Sequence, residues 1–488
     1  MYDGPWRNAR NFLSSQATDR SSSPATRSAN VNATFGPHGG DPDRRLLFKG
    51  GRVLDYFPAD LDAAPSPLVE DVDLRVRDCR IKERGPDLAR EEGEEVVELD
   101  GATVLPGNVN SHMHLYMSLT SGAPKPPREP SDFKETLSEV WWNLDRCLDK
   151  DSVYLSAVAG AWDAVRSGTT LIFDNHSSLS FVRGSLDEVM RALTLVGVRG
   201  SLCYEVTDRA GKGVRDAAVE ETERFLARRR EGRDGCVAQF RAKVGAHASF
   251  TLEDRTLERL AAICDKYDAS PHLHVGESFE DRAISRKRGW KDPVDRLFDA
   301  GLIRRGTVIA HGVDLNEGEL ARIDQAGAWM VHCGRSNMDS GIGRAQLRGW
   351  GDRAALGTNA LDQNMWGELR TTYFRGRETQ PADLDLEAAA RLWFGGYRLA
   401  REHFGEPFGS LRSGAPADFI VLDNFQKTPL TTQTWLSHLL YDFHPWDIGS
   451  VWVGGRQVYR NGDGPPVPAS EFQDTAMRLW KAMGWVTD

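Results

Sequence analysis

From about residue 108 to 410 the chain alternates between amphipathic helical stretches and short apolar runs, and this alternation limits the fold more than any other feature. "DSVYLSAVAGAWDAVRSG" (151–168) and "TLERLAAICDKYD" (256–268) space their apolar residues by three and four, as one buried helix face requires. Short apolar runs follow such stretches: "TTLIFDN", "SPHLHVGE", "GTVIAHG", "AWMVHCG" and "AALGTN". Repeated βα units of this kind build a parallel sheet or barrel. No tandem repeat of fixed length accompanies them.

The flanks read differently. "LLFKGGRVLDYF" predicts a strand, a Gly-Gly turn and a second strand, and "VDLRVRDCRIKERG" alternates at period two as far as Gly85. "EVVELDGATVLPG" adds two short strands around an Asp-Gly turn, while "ADFIVLDN" (417–424) and "IGSVWVGGRQVYRNG" (448–462) bring the same texture to the other end. Short strands at both ends predict one small β domain assembled from both. Residues 1–45, rich in Ser, Gly, Pro, Asn and Arg, bury too little apolar surface to offset chain entropy and are expected to be a disordered tail. The expected plan is therefore the tail (1–45), a first β part (46–107), the βα region (108–408), a second β part (409–465) and a C-terminal helix (466–488).

Composition excludes several classes. A net charge of −10 argues against a nucleic-acid surface, and "RRREGR" and "RKRGWK" read as solvated stretches. Six scattered cysteines (Cys79, Cys147, Cys203, Cys236, Cys264, Cys333) with no CxxC predict reduced thiols. No apolar run approaches the ~20 residues of a membrane span, and the start lacks a secretory apolar core. A cytoplasmic protein without membrane or nucleic-acid partners is expected. Neither a phosphate-cradling Gly-rich loop, nor G-x-G-x-x-G after a strand, nor G-x-S-x-G occurs, which disfavours nucleotide cofactors and serine hydrolysis.

The polar residues at the ends of the apolar runs point to chemistry. In "LPGNVNSHMHLY" (105–116), His112 and His114 stand two apart, so on a strand they share one face and can converge on one ion. "SPHLHVGE" carries His272, His274 and Glu277, "GTVIAHG" ends on His311, "KVGAH" on His247 and "LIFDNH" on His176. The C-terminal ends of barrel strands are where such a fold builds its site.

These blocks resemble a known family. "LPGNVNSHMHLY", "VGAHASFT", "HLHVGE", "VIAHGVDLNEGEL", "HCGRSNM" and "ALGTN" are similar, in order, to the signature blocks of the metal-dependent amidohydrolase superfamily, in the branch of cytosine and guanine deaminases and triazine hydrolases. "EVWWNLDRCLDKDSVYLSAVAGAWDAVRSGTTLIFDNHSS" and "CYEVTDRAG" look most like the SsnA-like aminohydrolases. The resemblance covers about residues 46–465. It implies an α/β fold: a TIM-type (β/α)8 barrel with a composite β-sandwich from both termini, acting as a homodimer on a small-molecule substrate. It also implies one divalent ion, Zn²⁺ foremost with Fe²⁺ or Mn²⁺ as alternatives, held by His112, His114 and His274. Glu277 then shuttles protons, His311 polarises substrate or holds the attacking water, and His247 faces substrate. Such an ion lowers the pKa of water toward ~7, a nearby carboxyl protonates the departing amine, and His311, if protonated, stabilises the tetrahedral intermediate. The expected reaction is hydrolysis of a C–N bond in a cyclic amidine or nitrogen heterocycle.

One position departs from the pattern. The family's last strand ends in "GTD", whose aspartate binds the metal and takes a proton; here the sequence is "ALGTNAL", with Asn359. A neutral amide is a weaker ligand and no general base. Hydrolysis can survive with Glu277 or His311 as proton acceptor and Asn359 as a substrate contact, or with Asp362 reaching back. The open alternatives are a non-hydrolytic isomerisation, decarboxylation or elimination, and a protein that has lost catalysis. Arg335 of "HCGRSNM" is placed to meet a substrate anion or carbonyl, or else to form a loop salt bridge. His332 gets no role, His272 is left out as a packing residue, and Trp141 and Trp142 are expected to pack as core or lid.

Overall fold

A computed structural model describes residues 44–231, 237–423 and 426–486. The expected disordered tail lies outside the described residues, apart from its last two positions.

Two ladders of parallel strands fill the middle of the chain. One runs in the order Asn108–Met113, Thr169–His176, Arg199–Tyr204, Phe240–Ala242; the other runs Val244–Ala248, Pro271–Val275, Val308–His311, Trp329–His332, Ala354–Leu356. Two isolated parallel bridges link them, Met113 to Asn359 and Val206 to Ala246. At the first, the backbone is paired directly: the Asn359 N–H donates to the His112 carbonyl and the His114 N–H to the Asn359 carbonyl, each at 3.0 Å. Gly357 permits this approach, since a Cβ there would lie 2.7 Å from the His112 carbonyl oxygen. Beneath it Asn110 donates to Thr358 Oγ1 at 2.7 Å.

The strands are buried on both faces, as the apolar runs require, and helices lie between them. Helix Lys150–Arg166 starts at a reciprocal cap, in which Asp149 accepts from the Ser152 N–H and Ser152 from the Asp149 N–H, both at 2.8 Å. Helix Asp254–Tyr267 stops where Asp268 turns left-handed, φ +50°. No described helix is long and apolar enough to cross a membrane.

Strands from both ends of the chain form one eight-stranded sheet. Its path runs Arg456–Arg460, Ile448–Val453, Phe419–Leu422, Thr103–Pro106, Leu46–Asp55, Leu68–Arg77, Arg80–Gly85, with Glu95–Glu98 also on Leu46–Asp55. This sheet has its own apolar core, in which Phe48 meets Phe419 and Trp452 edge-on at 5.0 and 4.8 Å. Two local expectations are corrected. Gly50-Gly51 is not a turn but a bulge inside the single strand Leu46–Asp55, with Gly50 at φ +71°. "VDLRVRDCRIKERG" is not one strand but a hairpin, because Asp78 and Cys79 both adopt positive φ (51° and 59°) and turn the chain. Cys79 is also disulfide-bonded, against the expectation of reduced thiols; Cys147, Cys203, Cys264 and Cys333 are free.

A helical segment lies over the strand ends: Phe133–Thr136, a π-helical turn Leu137–Trp141, and Trp142–Cys147. Helix Ala469–Ala482 braces it. Asn143 donates to the Met483 carbonyl at 2.9 Å, and Trp480 Nε1 donates to the Leu119 carbonyl at 3.0 Å, five residues beyond His114.

Candidate active site

Three strand-end imidazoles meet. The ligand-capable nitrogens of His112, His114 and His274 lie within 4.8 Å of one another, and all three side chains are buried. Met113 between the first two is also fully buried, on the opposite face. Hydrogen bonds fix the tautomers. His114 Nδ1 is 2.6 Å from the Asn175 carbonyl and His274 Nδ1 is 2.9 Å from the His247 carbonyl. A carbonyl only accepts, so both Nδ1 atoms carry the proton and both Nε2 atoms carry a lone pair. Those two Nε2 atoms face each other at 3.1 Å. Two lone pairs so close repel, and a cation between them turns the repulsion into ligation. Burial, reinforced by neighbouring imidazoles, holds His112 and His114 well below the ordinary imidazole range, and burial brings His274 to about 4. All three are neutral, the form that binds a metal.

His112 is oriented from both sides. Its Nδ1 is 2.8 Å from His272 Nε2, and its Nε2 is 2.9 Å from Asn359 Oδ1. Asn359 donates its amide N–H to Ser336 Oγ at 2.7 Å, so its carbonyl oxygen is turned toward His112. With the His112 proton on Nδ1 and donated to His272 Nε2, His112 Nε2 and Asn359 Oδ1 face each other with lone pairs, an arrangement that a cation beside them relieves; the amide still cannot take a proton as a carboxylate would.

Glu277 and His311 form the opposite side, with Glu277 Oε1 3.5 Å from His311 Nε2. His311 Nδ1 is 2.8 Å from Asn337 Oδ1, while its buried Nε2 has no hydrogen-bond partner among the described residues. With Asn337 oriented as acceptor, the His311 proton sits on Nδ1 and Nε2 is a free base. Burial pulls His311 down to about 4, so it is neutral and not the cation that oxyanion stabilisation would require. Burial pushes the Glu277 carboxyl up, partly opposed by His274. His311 and Asn359 both hold positive φ, 75° and 56°. Asn tolerates this region, but for His it is strained by about 1–3 kcal/mol, a cost typical of functional positions.

The turn that delivers Glu277 rests on Asp281, which accepts the Gly276 N–H at 3.0 Å. Burial raises Asp281 to about 7. The folded chain therefore binds this proton more tightly than the unfolded chain between about pH 4 and 7, and stability falls as pH rises through that window. Asp281→Asn is expected to abolish this dependence. Denaturant titration should find it more stable than the parent by about 2–4 kcal/mol at pH 8, with the two converging near pH 4.

Between these walls is a cavity of about 40 Å³ lined by His114, His247, His274, Glu277, Asn359 and Glu205, and covered by Leu137 and Trp141. His247 thus faces the cavity, and Trp142 packs edge-on against it at 6.4 Å. Arg335 does not reach the cavity, which corrects its reading as a substrate contact. Its guanidinium is taken by Glu368 (2.9 Å), by Asp362 (2.7 Å) and by the Asp362 and Asn364 carbonyls. That pairing also keeps Asp362 from reaching back to the histidines. His332 packs edge-on against Trp350 at 5.8 Å, and His176 bonds Ser178 Oγ at 2.8 Å; neither lines the cavity. The residues that sequence reasoning missed are Ser336 and Asn337, immediately after Arg335, together with His272 and Glu205. Glu205 directly follows strand Arg199–Tyr204, so the strand-end rule was the signal that could have found it.

Comparisons with known proteins agree with this layout. The model of the Amidohydrolase family matches residues 103–458. A 5-methylthioadenosine/S-adenosylhomocysteine deaminase of Bacillus cereus (strain AH187) is 30% identical over 389 residues, covering 76% of this chain and 85% of that protein. A zinc-bound adenosine deaminase from Xanthomonas campestris superposes with a TM-score of 0.76 at 20% identity, over 91% of this chain and 100% of its own. A zinc complex of atrazine chlorohydrolase from Arthrobacter aurescens TC1 gives 0.72 at 20% identity, over 89% and 99%. With the histidines gathered at the strand ends, these matches show that the chain belongs to the amidohydrolase family, as a hydrolytic enzyme acting on carbon–nitrogen bonds outside peptides.

Proposed function

We propose that this chain is a metal-dependent aminohydrolase that cleaves a C–N bond of a cyclic amidine or nitrogen heterocycle, with one divalent ion, zinc foremost, held by His112, His114 and His274. The observation that carries this reading is the pair of Nε2 lone pairs facing each other at 3.1 Å, both protons pinned on the far nitrogens by carbonyls. Support for the substrate class comes from relatives named as deaminases of 5-methylthioadenosine and S-adenosylhomocysteine. The frame we propose is a closed (β/α)8 barrel over 108–408, supported by the bridge that joins its first and last strands. The β parts 46–107 and 409–465 are then a composite sandwich, supported by their separate apolar core.

When bound, such an ion acidifies water and polarises the carbon under attack. The chain's own residues handle the protons. A water attacking the ring carbon must lose a proton, and Asn359 cannot take it. His311 Nε2, neutral and without a partner, is the free acceptor on that side. Glu277, whose carboxyl is shifted up by burial and lies 3.5 Å from His311 Nε2, is the group placed to pass a proton to the departing amine. Asn359 and His272 keep His112 in register. The cavity of about 40 Å³ holds a few waters, so a ring substrate enters only when the Leu137–Trp141 wall withdraws.

The test is an ammonia-release screen over purines, pyrimidines, pterins and triazines, combined with metal analysis of the same sample. About one ion per chain and release from at least one ring class are expected. Fully metal-loaded protein that releases ammonia from none of them would contradict the proposal.

A further inference from the structure

The strands that carry His247, His274 and His311 at one end carry a different cluster at the other. Lys243 directly precedes strand Val244–Ala248, Ser270 directly precedes Pro271–Val275, and Gly306 lies just before Val308–His311. All three line a cavity of about 420 Å³, far larger than the one beside the histidines. Lys243 is only 2% exposed, and its ammonium donates to Ser270 Oγ at 2.6 Å and to the Gly306 carbonyl at 2.8 Å. An ammonium has three N–H groups, so one is left over. Both acceptors are neutral, and Lys243 has no ion-pair partner among the described residues. The other charges of the cavity are matched elsewhere. Arg304 is bound to Asp265 at 2.6 Å and Glu402 to Arg353 at 2.5 Å, while Asp268 stands exposed in solvent. His403 offers no counter-charge, since burial holds it neutral and its Nε2 is 2.9 Å from Ser201 Oγ. Burial draws Lys243 down only to about 8, so it stays charged at neutral pH. A buried charge without a counter-ion weakens a fold, and the strand starts of a βα fold ordinarily serve packing.

We propose that this cavity is a second ligand site, in which Lys243 on the inner wall and Arg305 at the rim hold the oxyanion group, phosphate or carboxylate, of a small molecule. Arg305 also lines the cavity and is 75% exposed, and its one ion-pair partner among the described residues is Glu402 at 3.7 Å. The unused ammonium N–H gives the anion a charge-assisted hydrogen bond, and the guanidinium adds a second cation. The volume is that of a small-molecule pocket and leaves room for more than the anionic group itself. The site uses the opposite ends of the strands from the histidines, so it stands whether or not the hydrolase reading does.

Inorganic phosphate and acetate are the probes, each titrated at fixed low ionic strength into metal-loaded enzyme and followed by ligand-observed NMR. Whichever binds more tightly identifies the anionic group. Either anion can also meet a metal at the histidines, so variants decide where it binds. Lys243→Met, similar in length and uncharged, should weaken binding of the preferred anion by about tenfold or more while keeping its metal content. His112→Ala/His114→Ala, which removes two metal ligands at the other end of the strands, should still bind that anion within about twofold of the parent. Arg305→Gln changes only the exposed rim and should weaken binding about threefold; it carries the test if the methionine variant does not fold. Binding of neither anion below about 10 mM, parent-like binding by Lys243→Met or Arg305→Gln, or binding that disappears with the two histidines overturns the proposal. Failure of the ammonia screen leaves this binding standing, and failure here leaves ammonia release standing, so the two readings fail separately.

Discussion

Glu277→Gln is expected to lower kcat by about 10²–10⁴-fold, the range for loss of a general acid or base, with metal content and fold unchanged. Glutamine matches glutamate in shape, so the half-enclosed side chain, 17% exposed, keeps its place beside His311. What it loses is the transferable proton. The amine then departs unprotonated, and kcat falls more than KM rises because the lost interaction is made at the transition state. Single-turnover kinetics in water enriched in heavy oxygen would show slow but still water-derived oxygen in the product. Retention of full kcat would move the proton shuttle away from Glu277; turnover without label would make the reaction non-hydrolytic.

The larger effect is expected for the double variant His112→Ala/His114→Ala. It removes two of the three imidazoles within 4.8 Å of one another and leaves His274 as a lone ligand. A single neutral imidazole does not retain a divalent ion against dialysis, so metal should fall from about one ion per chain to near zero and activity should reach background. The fold is expected to survive, since both rings sit at strand ends whose backbone pairing with Asn359 does not use the side chains. Circular dichroism and gel filtration check the fold, and elemental analysis checks the metal.

Much of this centre was legible because its signals are local. HxH on a strand places two rings on one face without any tertiary information, and the strand-end rule gathers His247, His274, Glu277 and His311. What resisted reading was orientation. Asp78 and Cys79 look like two more positions of an alternating strand, and only their left-handed backbone reveals the turn. In "HCGRSNM" the charged residue drew attention, yet Arg335 is spent on Glu368 and Asp362, while Ser336 and Asn337 point at Asn359 and His311. Those contacts cross 23 and 26 residues of chain, and which side of a short helix faces the site is set by its entry angle. His272 looked like packing because its role depends on His112, 160 residues away. The exchange of aspartate for Asn359 was visible at once. Its consequence was not, because the orientation of the amide is decided by a serine in the helix Gly334–Asp339.

The central claim is that His112, His114 and His274 share one cation. X-ray absorption at the metal edge of the purified enzyme tests it most directly. We expect about one ion per chain with three imidazole nitrogens at about 2.0–2.1 Å and oxygen completing the shell. An active protein with no stoichiometric metal, or an ion whose shell contains no histidine, would contradict it.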